Sequence, residues 1–210
     1  MGTSKRRIQS KIKDILVNTP VNDLNLRAPQ IAEIVLSKKQ LSDTFQSEDF
    51  TNETISFIYN QFNSFHSSGF NGKSKKEVLE DTISKEEFLN SILEAIEEEF
   101  GIDSKILLKA LKITMAKFIE VEFDSYSFAQ LLFYEVVTQL LITDLQETMK
   151  DSYETLTYEE IKKMVSISAD SIMNVAVYEK INDFVSKKCN VSDILELIHQ
   201  RTSEALFGDF

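Results

Sequence analysis

Ile31-Ala-Glu-Ile-Val-Leu-Ser-Lys-Lys-Gln-Leu-Ser-Asp-Thr-Phe-Gln-Ser-Glu-Asp-Phe50 decides how the rest of the chain is read. Its first part predicts a short helix around Pro29 to Val35, with Pro29 near the start, where a missing N–H costs little. A break follows, and a second helix opens at Ser37-Lys38-Lys39-Gln40. Leu41 and Phe45 fall four residues apart and mark that helix's inner face. Two short helices joined by a tight turn, the second presenting polar groups, make a helix-turn-helix.

Working outward, Ile8, Ile12, Ile15 and Leu16 lie at helical spacing and predict a helix from about Ser4 to Val17, stopped by Asn18-Thr19-Pro20. Residues 1–50 then form a three-helix unit. After a break at 49–52, Ile55, Ile58, Tyr59, Phe62 and Phe65 form the stripe of a fourth helix. Turn formers Ser67-Ser68-Gly69 and Asn71-Gly72 predict a loop over 66–76. Ser84-Lys85-Glu86-Glu87 reads as a capping box opening a helix that ends at Gly101. Asp103 and Ser104 suit the cap of a helix to about Phe123, and another begins near Ser127. Thr157-Tyr-Glu-Glu160 is a second capping box, opening a helix toward Val185, and Asn190 or Ser192 caps a last helix through Leu206. No segment alternates with period two, so the expected class is all-α, with 51–210 forming the larger helical domain.

Charge divides unevenly along this plan. Residues 1–50 hold eight basic residues (Lys5, Arg6, Arg7, Lys11, Lys13, Arg27, Lys38, Lys39) against six acidic ones, a net of +2. The chain's net charge is −11, so the other 160 residues carry −13. A basic end on an acidic body suggests a surface that meets an anion. One Cys excludes an internal disulfide framework, and the basic N-terminus lacks an apolar signal core, so a cytoplasmic location is expected. The most apolar run, Leu131 to Ile142, is too short to span a bilayer and carries Glu135 and Gln139.

Few residues suit catalysis. His66 and His199 are far apart in sequence, and nothing beside Cys189 suggests an activated thiolate. Glu196-Leu-Ile-His199 has the spacing of two metal ligands on one helical face, but di-iron bundles need two such motifs and two further Glu. Ser67 to Ser74 mimics the end of a phosphate-binding loop without the strand that loop requires. The acidic run Glu94 to Glu99 reads as a solvated helix face. No enzyme activity, metal or cofactor is therefore expected.

Ile31-Ala32 followed by Ser37-Lys38-x-x-Leu41-x-x-x-Phe45-x-Ser47 resembles the helix-turn-helix of TetR/AcrR-family transcriptional regulators. The resemblance covers residues 8–50; beyond them only the helical layout and length agree. Ser42 and Thr44 stand where the family has tyrosines, Glu48 where it has a phosphate-contacting Lys, and the turn is one residue short. The resemblance implies a homodimer, formed through the last two helices (about 157–187 and 190–207), that binds double-stranded DNA at a pseudo-palindromic operator. Ser37, Lys38, Lys39, Gln40 and Thr44 would enter the major groove, with Lys5, Arg6, Arg7 and Arg27 on phosphates. Helices apolar on more than one face need a partner helix, a second subunit or an enclosed ligand; the resemblance implies the last, a small apolar ligand among Met115, Phe118, Phe128, Phe133 and Tyr134. The alternative is a helical protein-interaction module whose helix-turn-helix is degenerate and binds no DNA; Asp43, Glu48 and Asp49 beside the second helix favour it.

Overall fold

The computed structural model describes residues 10–15, 23, 27–36, 38–46, 49–152 and 157–204. Helices follow one another as α1 (residues 10–15), α2 (Ala28–Val35), α3 (Lys38–Phe45), α4 (Asn52–Ser68), α5 (Lys75–Glu80) and α6 (Thr82–Phe100). They continue with α7 (Lys105–Phe118), α8 (Ser125–Ser152), α9 (Tyr158–Ile172), α10 (Val175–Val185) and α11 (Val191–Glu204). The fold is all-α: among the described residues the only β-type pairing is one isolated bridge, Phe70 to Lys73.

α8 is the axis of the molecule. Phe128, Ala129, Leu132, Phe133, Val136, Val137 and Leu141 are fully buried and cover more than one helical face. A helix of that composition is stable only when surrounded, and α7, α9, α10, α2 and α4 all pack on it. Of the three ways to satisfy such a helix, a partner helix, a second subunit or an enclosed ligand, neighbouring helices of its own chain supply the first. Each fully buried Leu or Phe contributes on the order of 1.5–3 kcal/mol, an upper bound for an unfolded chain that is already partly collapsed.

The buried side chains form one contiguous core from Ile12 to Ile198, undivided at residue 50. α2 packs on α9, α11 and α8, while α3 packs on α11 and α7. Ile194, Leu195 and Ile198 of α11 are buried, and α11 lies against α10, α2, α3 and α9 of its own chain. The expected helix pair at 28–35 and 38–45 is present, but each member rests mainly on later helices.

Four boundaries differ from the sequence reading. α4 runs through His66 to Ser68, so the loop shrinks to residues 69–74, and Ser74 opens α5 with its own capping box to Glu77. Ser84 is no cap: Asp81 takes that role by accepting from the Ile83 N–H, and the Ser84 hydroxyl donates back to Asp81 at 2.6 Å. α7 ends at Phe118, short of Phe123, and α8 begins at Ser125. The helix expected to reach Val185 breaks at Met173, and Asn174 caps α10 by accepting from the Val177 N–H. Ser104, Thr157 and Asn190 cap as expected.

Candidate functional site

α3 is the helix that would read DNA, and its side chains divide sharply. Leu41, Thr44 and Phe45 are buried, Gln40 and Ser42 half-buried, and Lys38, Lys39 and Asp43 exposed. Thr44 is only 6% exposed, so it has no reach to a base edge. Gln40, Asp43 and Thr44 line a cleft of about 330 Å³ whose other walls include Ser104, which caps α7, Lys105 of α7, and Leu140 and Thr143 of α8. Gln40, the residue assigned to a base contact, thus borders an intramolecular cleft.

Three contacts fasten α3 to the body. At its C-terminal end the Gln46 amide donates to Asp103 Oδ1 at 2.7 Å, and its carbonyl accepts from the Asp103 N–H at 3.0 Å. Gln46 holds this position with φ 45°, in the left-handed region that side chains seldom occupy. On the inner face the Phe45 ring stacks on Phe133 of α8, with centroids 4.7 Å apart. At the N-terminal end Lys38 Nζ lies 3.8 Å from Glu196 Oε1 on α11, an exposed pair worth little by itself.

The remaining DNA-facing candidates are scattered. Arg27 is exposed, and its guanidinium donates to Gln30 Oε1 at 3.3 Å. Lys5, Arg6, Arg7 and Ser37 lie outside the described residues. Exposed Asp43 and Asp49 add negative charge close to Lys38 and Lys39 in the chain, which weakens attraction for phosphate.

The candidate ligand residues are mostly packing. Met115, Phe128 and Phe133 are fully buried, and Phe118 is 8% exposed. Phe118 and Phe128 pack ring against ring with each other and with Phe123, while Phe133 sits among Phe45, Phe50 and Phe184. Tyr134 differs: it is half-buried and borders a cleft of about 340 Å³ with Ser127, Gln130, Leu131 and Tyr178. Its hydroxyl donates to Asp170 Oδ1 at 3.0 Å. Burial is the first cause that raises the pKa of both Tyr134 and Tyr178, and the Asp170 charge adds to it.

Chemically suggestive motifs resolve into structure. Phe70 and Lys73 exchange backbone hydrogen bonds of 2.9 Å around Asn71-Gly72, both at positive φ, which makes a two-residue hairpin turn. The Lys73 ammonium is bonded to Asp81 at 2.9 Å and Ser84 at 2.6 Å, so it is spent on the start of α6 and not on a phosphate. Burial raises the Cys189 thiol above its usual pKa, opposite to what a nucleophile needs. Among the described residues no three His, Cys, Asp or Glu side chains converge on a metal position. Glu94, Glu97, Glu98 and Glu99 are exposed beside buried Ile92 and Ile96, as a solvated helix face requires.

Sequence reasoning missed the pairs Gln46–Asp103 and Tyr134–Asp170. They are separated by 57 and 36 residues, and one sequence carries no local signal for either. Among the described residues, no helix is long and apolar enough to cross a membrane. No family model, curated protein or solved structure matches the chain.

Proposed function

We propose that this chain is a helical protein-interaction module whose helix-turn-helix-like segment is a structural part of the body and not a DNA reader. The observation that carries this reading is the fastening of α3 through Gln46–Asp103 and Phe45–Phe133. A helix that reads bases enters a major groove about 12 Å wide, and its own flanks face the groove walls. Here α7 and α11 flank α3, and two of its assigned reading residues, Gln40 and Thr44, border an open cleft that α3 forms with α7 and α8. The net −13 beyond residue 50 suits a basic partner and disfavours DNA.

The test is fluorescence polarisation with labelled genomic fragments at low salt, using the wild type and a Lys38→Gln/Lys39→Gln double variant. Neither protein is expected to bind saturably. Salt-dependent binding by the wild type that weakens in the variant would overturn the reading.

A second reading is the TetR-like homodimeric transcriptional regulator, and the exposure of Lys11, Lys13, Arg27, Lys38 and Lys39 favours it. It requires Lys38 to leave Glu196 for a phosphate and a dimer built from the outer faces of the C-terminal helices. In that case each phosphate-bound Lys replaced by Gln should reduce the salt slope of log K by about 1.

A further inference from the structure

The cleft between α8 and α10 has a chemistry of its own. Its walls are Ser127, Gln130, Leu131 and Tyr134 from α8 and Tyr178 from α10, around a volume of about 340 Å³ that is wide open to solvent. Gln130 Nε2 donates to Asn182 Oδ1 at 2.9 Å and braces α8 against α10, so the walls are held before any ligand arrives. Both tyrosines are half-buried, and neither Lys nor Arg lines the cleft.

Asp170 does not itself line the cleft, but it sits one hydrogen bond from it through Tyr134 and brings a negative charge to its rim. This exposed carboxylate of α9 accepts the Tyr134 hydroxyl at 3.0 Å. A phenol that donates to a carboxylate gains electron density in its ring, and the face of such a ring attracts cations. Tyrosines carry their proton at neutral pH, burial moves both phenols further in that direction, and Tyr134 donates its hydrogen bond to Asp170. An anion would meet the Asp170 charge without a cationic side chain to oppose it.

We propose that this cleft binds an alkylammonium group, held against the Tyr134 and Tyr178 rings beside the Asp170 carboxylate. The group is either a free small cation or a lysine side chain offered by another protein. The site goes beyond the interaction-module reading and does not depend on it.

Isothermal titration calorimetry of the full chain tests the proposal. The probes are tetramethylammonium, n-butylammonium and a lysine-containing acetylated peptide, with neopentyl alcohol as a neutral control. Saturable binding of an ammonium probe is expected, about tenfold or more tighter than the alcohol. Tyr178→Ala and Asp170→Asn should each weaken it by about fivefold or more, while Tyr178→Phe, which keeps the ring, should stay within about twofold. Far-ultraviolet circular dichroism checks that each variant is folded. A peptide markedly tighter than n-butylammonium identifies a lysine side chain as the ligand, and equal affinities identify a free cation. Absence of saturable ammonium binding, or equal binding of the alcohol, overturns the proposal, as does unchanged affinity in folded Tyr178→Ala and Asp170→Asn.

Discussion

Phe45 and Phe133 stack with their ring planes 21° apart, joining a helix from the first 50 residues to the central helix α8. Phe50 meets both rings edge-on, and Phe184 closes the group from α10. The pair is a stability element at the place where a reading head would need independence. Phe45→Ala and Phe133→Ala should each cost about 3–5 kcal/mol. Their double-mutant cycle should show a coupling of about 0.5–1.5 kcal/mol in urea unfolding. A first transition confined to residues 1–50 would contradict the continuous core.

Glu135 is nearly enclosed on α8, its side chain 10% exposed, and Lys117 Nζ reaches it at 2.6 Å from α7. Lys117 is itself half-exposed, so the pair is worth less than one fully buried. Lys117→Ala should cost about 1–3 kcal/mol by stranding the carboxylate. A Lys117→Ala/Glu135→Met double variant should recover much of that loss, because no charge then remains buried. Chemical denaturation of the three proteins measures the recovery, and a double variant as unstable as the single one would refute the account.

Acid should act on the start of α6. The Asp81 pKa is lowered from 3.8 to about 2, first by the Ser84 hydroxyl, then by Lys73, with the Ile83 N–H contributing further. A carboxylate depressed on folding contributes stability above its unfolded pKa, and that contribution fades as pH falls through the folded value. The difference in unfolding midpoint between wild type and Asp81→Asn should therefore be constant above pH about 4 and shrink toward pH 2. Ser84→Ala should raise the Asp81 pKa, readable by carboxyl-carbon NMR. An unchanged value would remove Ser84 as the leading cause.

Two glycines of the 69–74 loop make a controlled comparison. Both have positive φ, 73° at Gly69 and 76° at Gly72. A Cβ on Gly69 would sit 1.9 Å from the Lys73 carbonyl oxygen, whereas a Cβ on Gly72 meets nothing within 4 Å. Gly72→Ala should cost only the left-handed backbone penalty of roughly 1–2 kcal/mol. Gly69→Ala should cost distinctly more, because the Phe70–Lys73 bridge must open. Equal thermal shifts would argue against that closure.

Sequence exposed the helices more clearly than their arrangement. Helix ends are local events, so Gly101, Ser104 and the Thr157–Glu160 box announce themselves within a turn. The same local code misled at Ser84, where Asp81, three residues earlier, captured the Ile83 N–H. Ser74-Lys-Lys-Glu77 carried an equally good box, hidden by the turn formers before it. The burial of Leu41 and Phe45 was legible from their spacing, but not which helix would cover them. Such packing obeys only the complementarity of faces distant in the chain, and many pairings satisfy an apolar stripe equally well. For the same reason spacing alone left the aromatic stripe open between core and ligand chamber; its rings pack on one another, and Tyr134 is set apart by its neighbours Asp170 and Tyr178.

The seating of α11 on α2 and α3 also sets an order of events in synthesis. Part of the surface that α2 and α3 rest on is α11, translated about 150 positions later, a wait of roughly 8–30 s at usual elongation rates. During that interval the early helices cannot complete their burial and must remain sticky, sheltered or unformed. Nascent chains arrested before residue 191 should therefore engage chaperones through this segment and release them once α11 emerges from the ribosome.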